Sequence, residues 1–123
     1  MLTIYTRPSN ASSRKAISWA IENEIEYQQV KTEKMQLTHD DILRFMQLSY
    51  TGTEDLISRH SKAFSIFKDE IDDMNLSDLI DLLITEPSLL KLPIIVSDKE
   101  VMVGFNKEQI NIFKQKPTRL RAI

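Results

Sequence analysis

The stretch LTIYTRPSNASSRKAISWAIENEIEYQQVK, residues 2–31, decides the fold. Leu2-Thr3-Ile4-Tyr5-Thr6 alternates apolar and hydroxyl side chains, the period of a half-buried strand. Pro8-Ser9-Asn10 breaks it. The spacing then predicts a helix from about Ser12 to Asn23, because Ala16, Trp19, Ala20 and Asn23 share one face that Ile17 and Ile21 widen. Asn10, Ser12 or Ser13 can each cap its free N–H groups. Tyr27 to Lys31 reads as a second strand. A β-α-β opening implies parallel pairing through a right-handed crossover.

Outward from this unit the chain turns helical. Thr38-His39-Asp40-Asp41 has the form of a capping box, with Ile42, Phe45, Met46 and Ser49 at helical spacing behind it. Thr51-Gly52-Thr53 is expected to stop that helix, with Gly52 as its C-cap and Thr53 capping a short turn from Glu54 to Ser58. Ser61 caps another helix that turns Ala63, Phe64 and Phe67 inward. Leu76, Leu79, Ile80, Leu83 and Ile84 form a stripe over Asn75 to Thr85. Pro93-Ile94-Ile95-Val96-Ser97, the turn Asp98-Lys99 and Glu100-Val101-Met102-Val103 read as a β-hairpin. Gly104 precedes a last helix, Asn106 to Phe113, which Pro117 ends. The order β-α-β, helical block, β-β-α is an α/β, thioredoxin-like arrangement with a mixed four-stranded sheet. Residues 1–32 and 87–117 form its core, 33–86 a helical insertion and 118–123 a basic tail.

Composition bounds the chemistry. The 123 residues are 41% hydrophobic and 28% charged, an ordinary globular mixture. With no cysteine, disulfides, thiolate metal sites and thiol nucleophiles are excluded. No apolar run approaches the ~20 residues of a membrane span, and Arg7 and Pro8 interrupt any leader, so a cytoplasmic monomer is expected. The net charge of −2 argues against a general nucleic-acid binder. It is unevenly placed: residues 69–86 hold seven acids and no Lys or Arg, whereas 114–123 hold Lys114, Lys116, Arg119 and Arg121 and no acid. A solvated helix face and a basic tail account for this. His39 and His60 lack metal-ligand spacing, and no cofactor is implied.

Four ordered segments carry a resemblance: Tyr5-Thr6-x-Pro8-Ser9-Asn10-x-Ser12-Ser13-Arg14-Lys15-Ala16, Gly52-Thr53-Glu54-Asp55-Leu56-Ile57-Ser58, Leu89-Leu90-x-x-Pro93-Ile94-Ile95 and Val103-Gly104-Phe105-Asn106. Together they resemble the Spx/MgsR and arsenate-reductase-like family, a thioredoxin-fold group, and within it the Spx branch of stress regulators. The resemblance implies a partner, the C-terminal domain of the RNA polymerase α subunit, met by Gly52, Thr53, Tyr5 and Pro8. It also implies a cis peptide at Pro93. A basic tail would touch promoter DNA only weakly and only within that complex. The Spx tail is read by a cytoplasmic protease and its adaptor, of which Leu120-Arg121-Ala122-Ile123 keeps only apolar and small character.

The departures decide the reaction class. The Spx thiol/disulfide pair falls at Asn10 and Ser13, and two oxyanion-holding arginines of the reductases fall at His60 and Leu92. A helix start lowers a thiol's pKa into the useful range but does not make an amide or an alcohol comparably nucleophilic. The expectation is therefore a non-enzymatic regulator without a redox switch. The alternative is a degenerate arsenate-reductase- or glutaredoxin-like protein kept as a small-anion binder. Its anion would sit on the loop Ser9 to Arg14, through Ser12 and Arg14; simple self-capping is the competing use of that loop.

Overall fold

The structure, a computed structural model, describes residues 1–49 and 54–114. Strand β1 (Leu2–Thr6) leads into helix α1 (Ala11–Glu22) and strand β2 (Tyr27–Lys31). Helices α2 (His39–Leu48), α3 (Lys62–Asp73) and α4 (Leu76–Thr85) follow, and strands β3 (Ile94–Val96) and β4 (Val101–Val103) complete the sheet. Short 3-10 turns occupy Glu54–Leu56, Pro87–Leu89 and Gln109–Phe113. The sheet order is β2-β1-β3-β4, with β1 parallel to β2 and antiparallel to β3, and β3 antiparallel to β4. This is the mixed four-stranded α/β architecture the sequence predicts.

The alternation in β1 does the sorting. Leu2 and Ile4 are buried on one face with Ala16 and Ala20 of α1, Ile95, Met102, Ile110 and Phe113. Tyr5 turns to the other face, where Ile94 and Val96 meet Ile42, Phe45 and Met46 of α2 and Leu79, Ile80 and Leu83 of α4. One strand thus joins two apolar layers, since successive side chains point to opposite sides.

Capping follows the sequence closely. Thr38 Oγ1 accepts from the Asp41 N–H at 3.1 Å while the Thr38 N–H donates to Asp41 Oδ2 at 2.9 Å. Asn75 Oδ1 accepts from the Asp78 N–H, and Ser61 Oγ from the Phe64 N–H. The Ser97 N–H donates to the Glu100 carbonyl at 2.9 Å, closing the hairpin around Asp98 and Lys99.

Three expectations need correction. Helix α2 ends at Leu48 with Ser49 as its cap, so the stop assigned to Thr51-Gly52-Thr53 comes earlier; Gly52 and Thr53 themselves lie outside the described residues, as do Pro117 and the basic tail. Ile21 is 61% exposed and Leu76 51% exposed, and Asn23 is exposed. Each sits in an end turn of its helix, where the periodic stripe continues but its covering neighbour does not. In helix α3 the inward turn of Ala63, Phe64 and Phe67 is found, since all three pack against the core layer, although none is fully buried. Finally, the last segment winds as a 3-10 helix rather than an α-helix. Ile110 and Phe113 are three apart, and a 3-10 helix aligns i and i+3 directly, so both reach the core.

Leu83, fully buried in the α2–α4 layer, is predicted to cost about 3 kcal/mol on Leu83→Ala, against less than about 1 kcal/mol for Leu76→Ala. Urea denaturation of the two variants checks the contrast; equal losses would contradict the assigned layer.

Candidate functional site

The described parts of the four segments picked out in the sequence lie together near the carboxyl end of β1, the end of a parallel pair where an α/β sheet opens a crevice. At the head of α1, Asn10 Oδ1 accepts from the Ser13 N–H at 2.6 Å. Asn10 is thus the cap among the three candidates. Ser13, only 2% exposed, accepts the Arg7 N–H on its Oγ at 3.2 Å. The two positions that hold sulfur in the thiol-bearing pattern are therefore joined through the backbone by hydrogen bonds.

Arg7 extends this closure across the molecule. Its guanidinium donates to the Pro87 carbonyl at 2.6 Å and the Leu90 carbonyl at 3.4 Å. Leu90 in turn pairs with Ile57 in an antiparallel bridge. The Ser58 N–H donates to the Leu89 carbonyl and the Lys91 N–H to the Leu56 carbonyl, at 2.7 and 2.8 Å. The segment that leaves the undescribed residues 50–53 is thus stitched to the segment entering Pro93. The Leu92–Pro93 peptide is cis and Pro93 is buried. The Gly104 N–H donates to the Pro93 carbonyl at 2.7 Å, bringing in the fourth segment. Gly104 has φ +83°, and a Cβ there would meet Lys91 Cε at 3.1 Å, so glycine suits both the backbone and the space.

Arg7 is the residue that sequence reasoning missed. Its signal was a cation directly after an alternating strand, at the end of a β-α-β strand where sites form. Burial draws its pKa below the ordinary guanidinium value, and the Glu33 carboxylate pushes back.

Tyr5 stands half-buried on β1, edge-on to Phe45 with ring centroids 4.9 Å apart. Burial raises its phenol pKa above the usual value, the Asp41 carboxylate adds to this and Arg44 opposes it. Pro8 is exposed, and its carbonyl accepts from the Arg14 guanidinium at 3.0 Å. The expected anion loop thus spends donors on itself: the Ser13 N–H on Asn10, and part of the Arg14 fork on Pro8. Ser12 is half-buried at the helix start. His60 and Leu92, at the reductases' arginine positions, supply no guanidinium. Among the described residues no group of three or more His, Asp or Glu could hold a metal ion, and no helix is long and apolar enough to cross a membrane.

Two stability predictions follow from the closure. Asn10→Ala should cost about 1 kcal/mol through loss of the cap, with Asn10→Asp retaining it because a carboxylate also suits the positive helix start. Arg7→Ala should cost about 1–2 kcal/mol by leaving two carbonyls without their charged donor. Chemical denaturation reads both; an unchanged Arg7→Ala midpoint would remove the cross-link from the account.

Comparison with known proteins agrees with this geometry. Residues 5–113 match the ArsC family. The chain is 35% identical over 123 residues to the global transcriptional regulator Spx of Streptococcus pyogenes, covering all of this chain and 92% of that one. Against Spx of Lactiplantibacillus plantarum it is 36% identical with the same coverage. Among solved structures, an ArsC family related protein from Bacteroides fragilis superposes with a TM-score of 0.83 at 24% identity, over 92% of this chain and 97% of the other. Arsenate reductase from Vibrio cholerae gives 0.82 at 18% identity, again over 92% and 97%. With the fold, the four converging segments and this full-length likeness in hand, the chain belongs to the ArsC family.

Proposed function

We propose that this protein is a transcriptional regulator of the Spx type that docks on the C-terminal domain of the RNA polymerase α subunit and changes stress-related promoter use without a thiol/disulfide switch. One observation carries the reading. Full-length likeness to Spx regulators coincides with a helix head closed by the Asn10 and Ser13 hydrogen bonds, in a chain that has no cysteine. The docking face combines Tyr5 and Pro8 with Gly52 and Thr53. At Gly52 the missing Cβ admits a partner backbone at close range.

A non-enzymatic role accords with the local chemistry. Ser13 Oγ accepts a backbone N–H, and among the described residues no basic side chain is a hydrogen-bond partner to activate it as a nucleophile. Control then passes to the amount of protein in the cytoplasm, including removal by a protease and its adaptor. The basic residues Lys114, Lys116, Arg119 and Arg121 add a weak, salt-sensitive contact to promoter DNA once the complex has formed.

The purified C-terminal domain of the polymerase α subunit should be retained by the immobilised chain equally in dithiothreitol and in diamide. Gly52→Arg should abolish retention with the thermal melt preserved. The double variant Asn10→Cys/Ser13→Cys should make retention depend on redox state. Retention that survives Gly52→Arg overturns the assigned face, and failure of the native chain to bind overturns the reading. Transcription in vitro then separates a regulator, which shifts promoter output, from a mere competitor.

A further inference from the structure

A hollow of about 450 Å³ opens on the flank of α1 that faces β2, within the size range of small-molecule sites. Thr6 and Ser13 line it and are 4% and 2% exposed, so two hydroxyls lie at its buried end. Each already accepts one hydrogen bond: Thr6 Oγ1 from Gln29 Nε2 at 2.9 Å, and Ser13 Oγ from the Arg7 N–H. Neither O–H donates to another of the described residues. Buried hydroxyls normally use both capacities. Two spare protons beside one cavity therefore call for an acceptor inside it.

The charge around the hollow says which acceptor. Arg7, Arg14 and Lys31 line it against the single carboxylate of Glu33. Arg14 commits one guanidinium nitrogen to the Pro8 carbonyl, and Arg7 commits one to Pro87 and Leu90. Ile17, half-buried, gives the hollow an apolar wall. A larger hollow of about 630 Å³ at the opposite end of β1 carries both signs, Glu24, Glu26, Asp98 and Glu100 with Lys99 and Lys114, and its buried lining residues, Leu2 and Phe113, are apolar. It has no comparable hydroxyl pair. Nor do His60, Leu92 or Asn10, the positions of the reductase chemistry, line the smaller one.

We infer that the α1–β2 hollow is a binding site for a small organic oxyanion, a carboxylate or phosphate monoester on a compact apolar body. The Thr6 and Ser13 hydroxyls donate to the oxyanion, the basic residues supply charge assistance and Ile17 packs on the body. Pro8, which belongs to the proposed docking face, is on the rim of this hollow, but the site does not depend on polymerase docking and is tested without it. Because Ser13 also closes the head of α1, an occupant of the hollow reaches the docking face through one side chain.

Amide chemical shifts followed during titration of the full chain test the inference, with phenyl phosphate, benzoate and neutral phenol as probes. The expected result is saturable shifts at Thr6, Ser13, Ile17 and Gln29 with a dissociation constant of about 1 mM or tighter for an anionic probe. The stronger of phenyl phosphate and benzoate identifies the oxyanion. Lys31→Glu, at an exposed position, should keep the thermal melt and weaken binding roughly tenfold; Ser13→Ala should weaken it as well. Three results would overturn the site: no saturation by either anion, phenol binding as tightly as the anions, or shifts confined to Ala11 and Ser12, which would move the anion to the bare helix start.

Discussion

The junction between β1 and α1 sets everything downstream of it. There the chain leaves a strand, turns at Pro8-Ser9 and starts a helix within four residues, with Ser13 almost wholly buried at the seam. A buried hydroxyl is tolerable only when it is bonded, and Ser13 meets the Arg7 N–H while its own N–H goes to Asn10. The same Arg7 then reaches across to Pro87 and Leu90. Through Leu90 the junction is coupled to the Leu56–Ser58 segment and to the approach to Pro93. The neutral hydrogen bonds here are worth about 1 kcal/mol each and those from the charged Arg7 guanidinium somewhat more, and their value lies in fixing one arrangement of distant segments.

That closure changes what the fold can do. Elsewhere in such folds, paired thiols at the head of a helix give the loop two covalent states separated by two electrons. An amide and an alcohol offer one state. With no cysteine in the chain, the head of α1 has no thiol to oxidise, and its arrangement rests on hydrogen bonds alone. Under the reading proposed above, occupancy of the α1–β2 hollow and the quantity of protein present would be the levers, and both act by mass action rather than by electron transfer.

Most of the architecture was legible because local and long-range signals agreed. The strand period in Leu2–Thr6, the Thr38–Asp41 box and the Asp98-Lys99 hairpin each point to one structure and are found in it. The misses have physical reasons. Ile21 and Leu76 fit a stripe by spacing, but cover depends on where neighbours end, which no local pattern encodes. Ile110 and Phe113 satisfy both α and 3-10 winding. Ser49 ended α2 before Gly52 could. Arg7 was the hardest to see, since its partners are backbone carbonyls 80 and 83 residues away that leave no mark on side-chain pattern. In the site, Asn10 was legible as a candidate cap of α1 and is the cap found, whereas the hydrogen-bonded closure with Ser13 and the hollow behind it needed the tertiary structure.

The central claim is that the head of α1 rests in one hydrogen-bonded state that oxidants cannot change. Hydrogen exchange at the Ser13 amide in the free protein tests it most directly. The account predicts one resonance for this amide, with slow exchange at the same rate under reducing and oxidising conditions. Rapid exchange, or two interconverting resonances whose populations respond to oxidant, would contradict it.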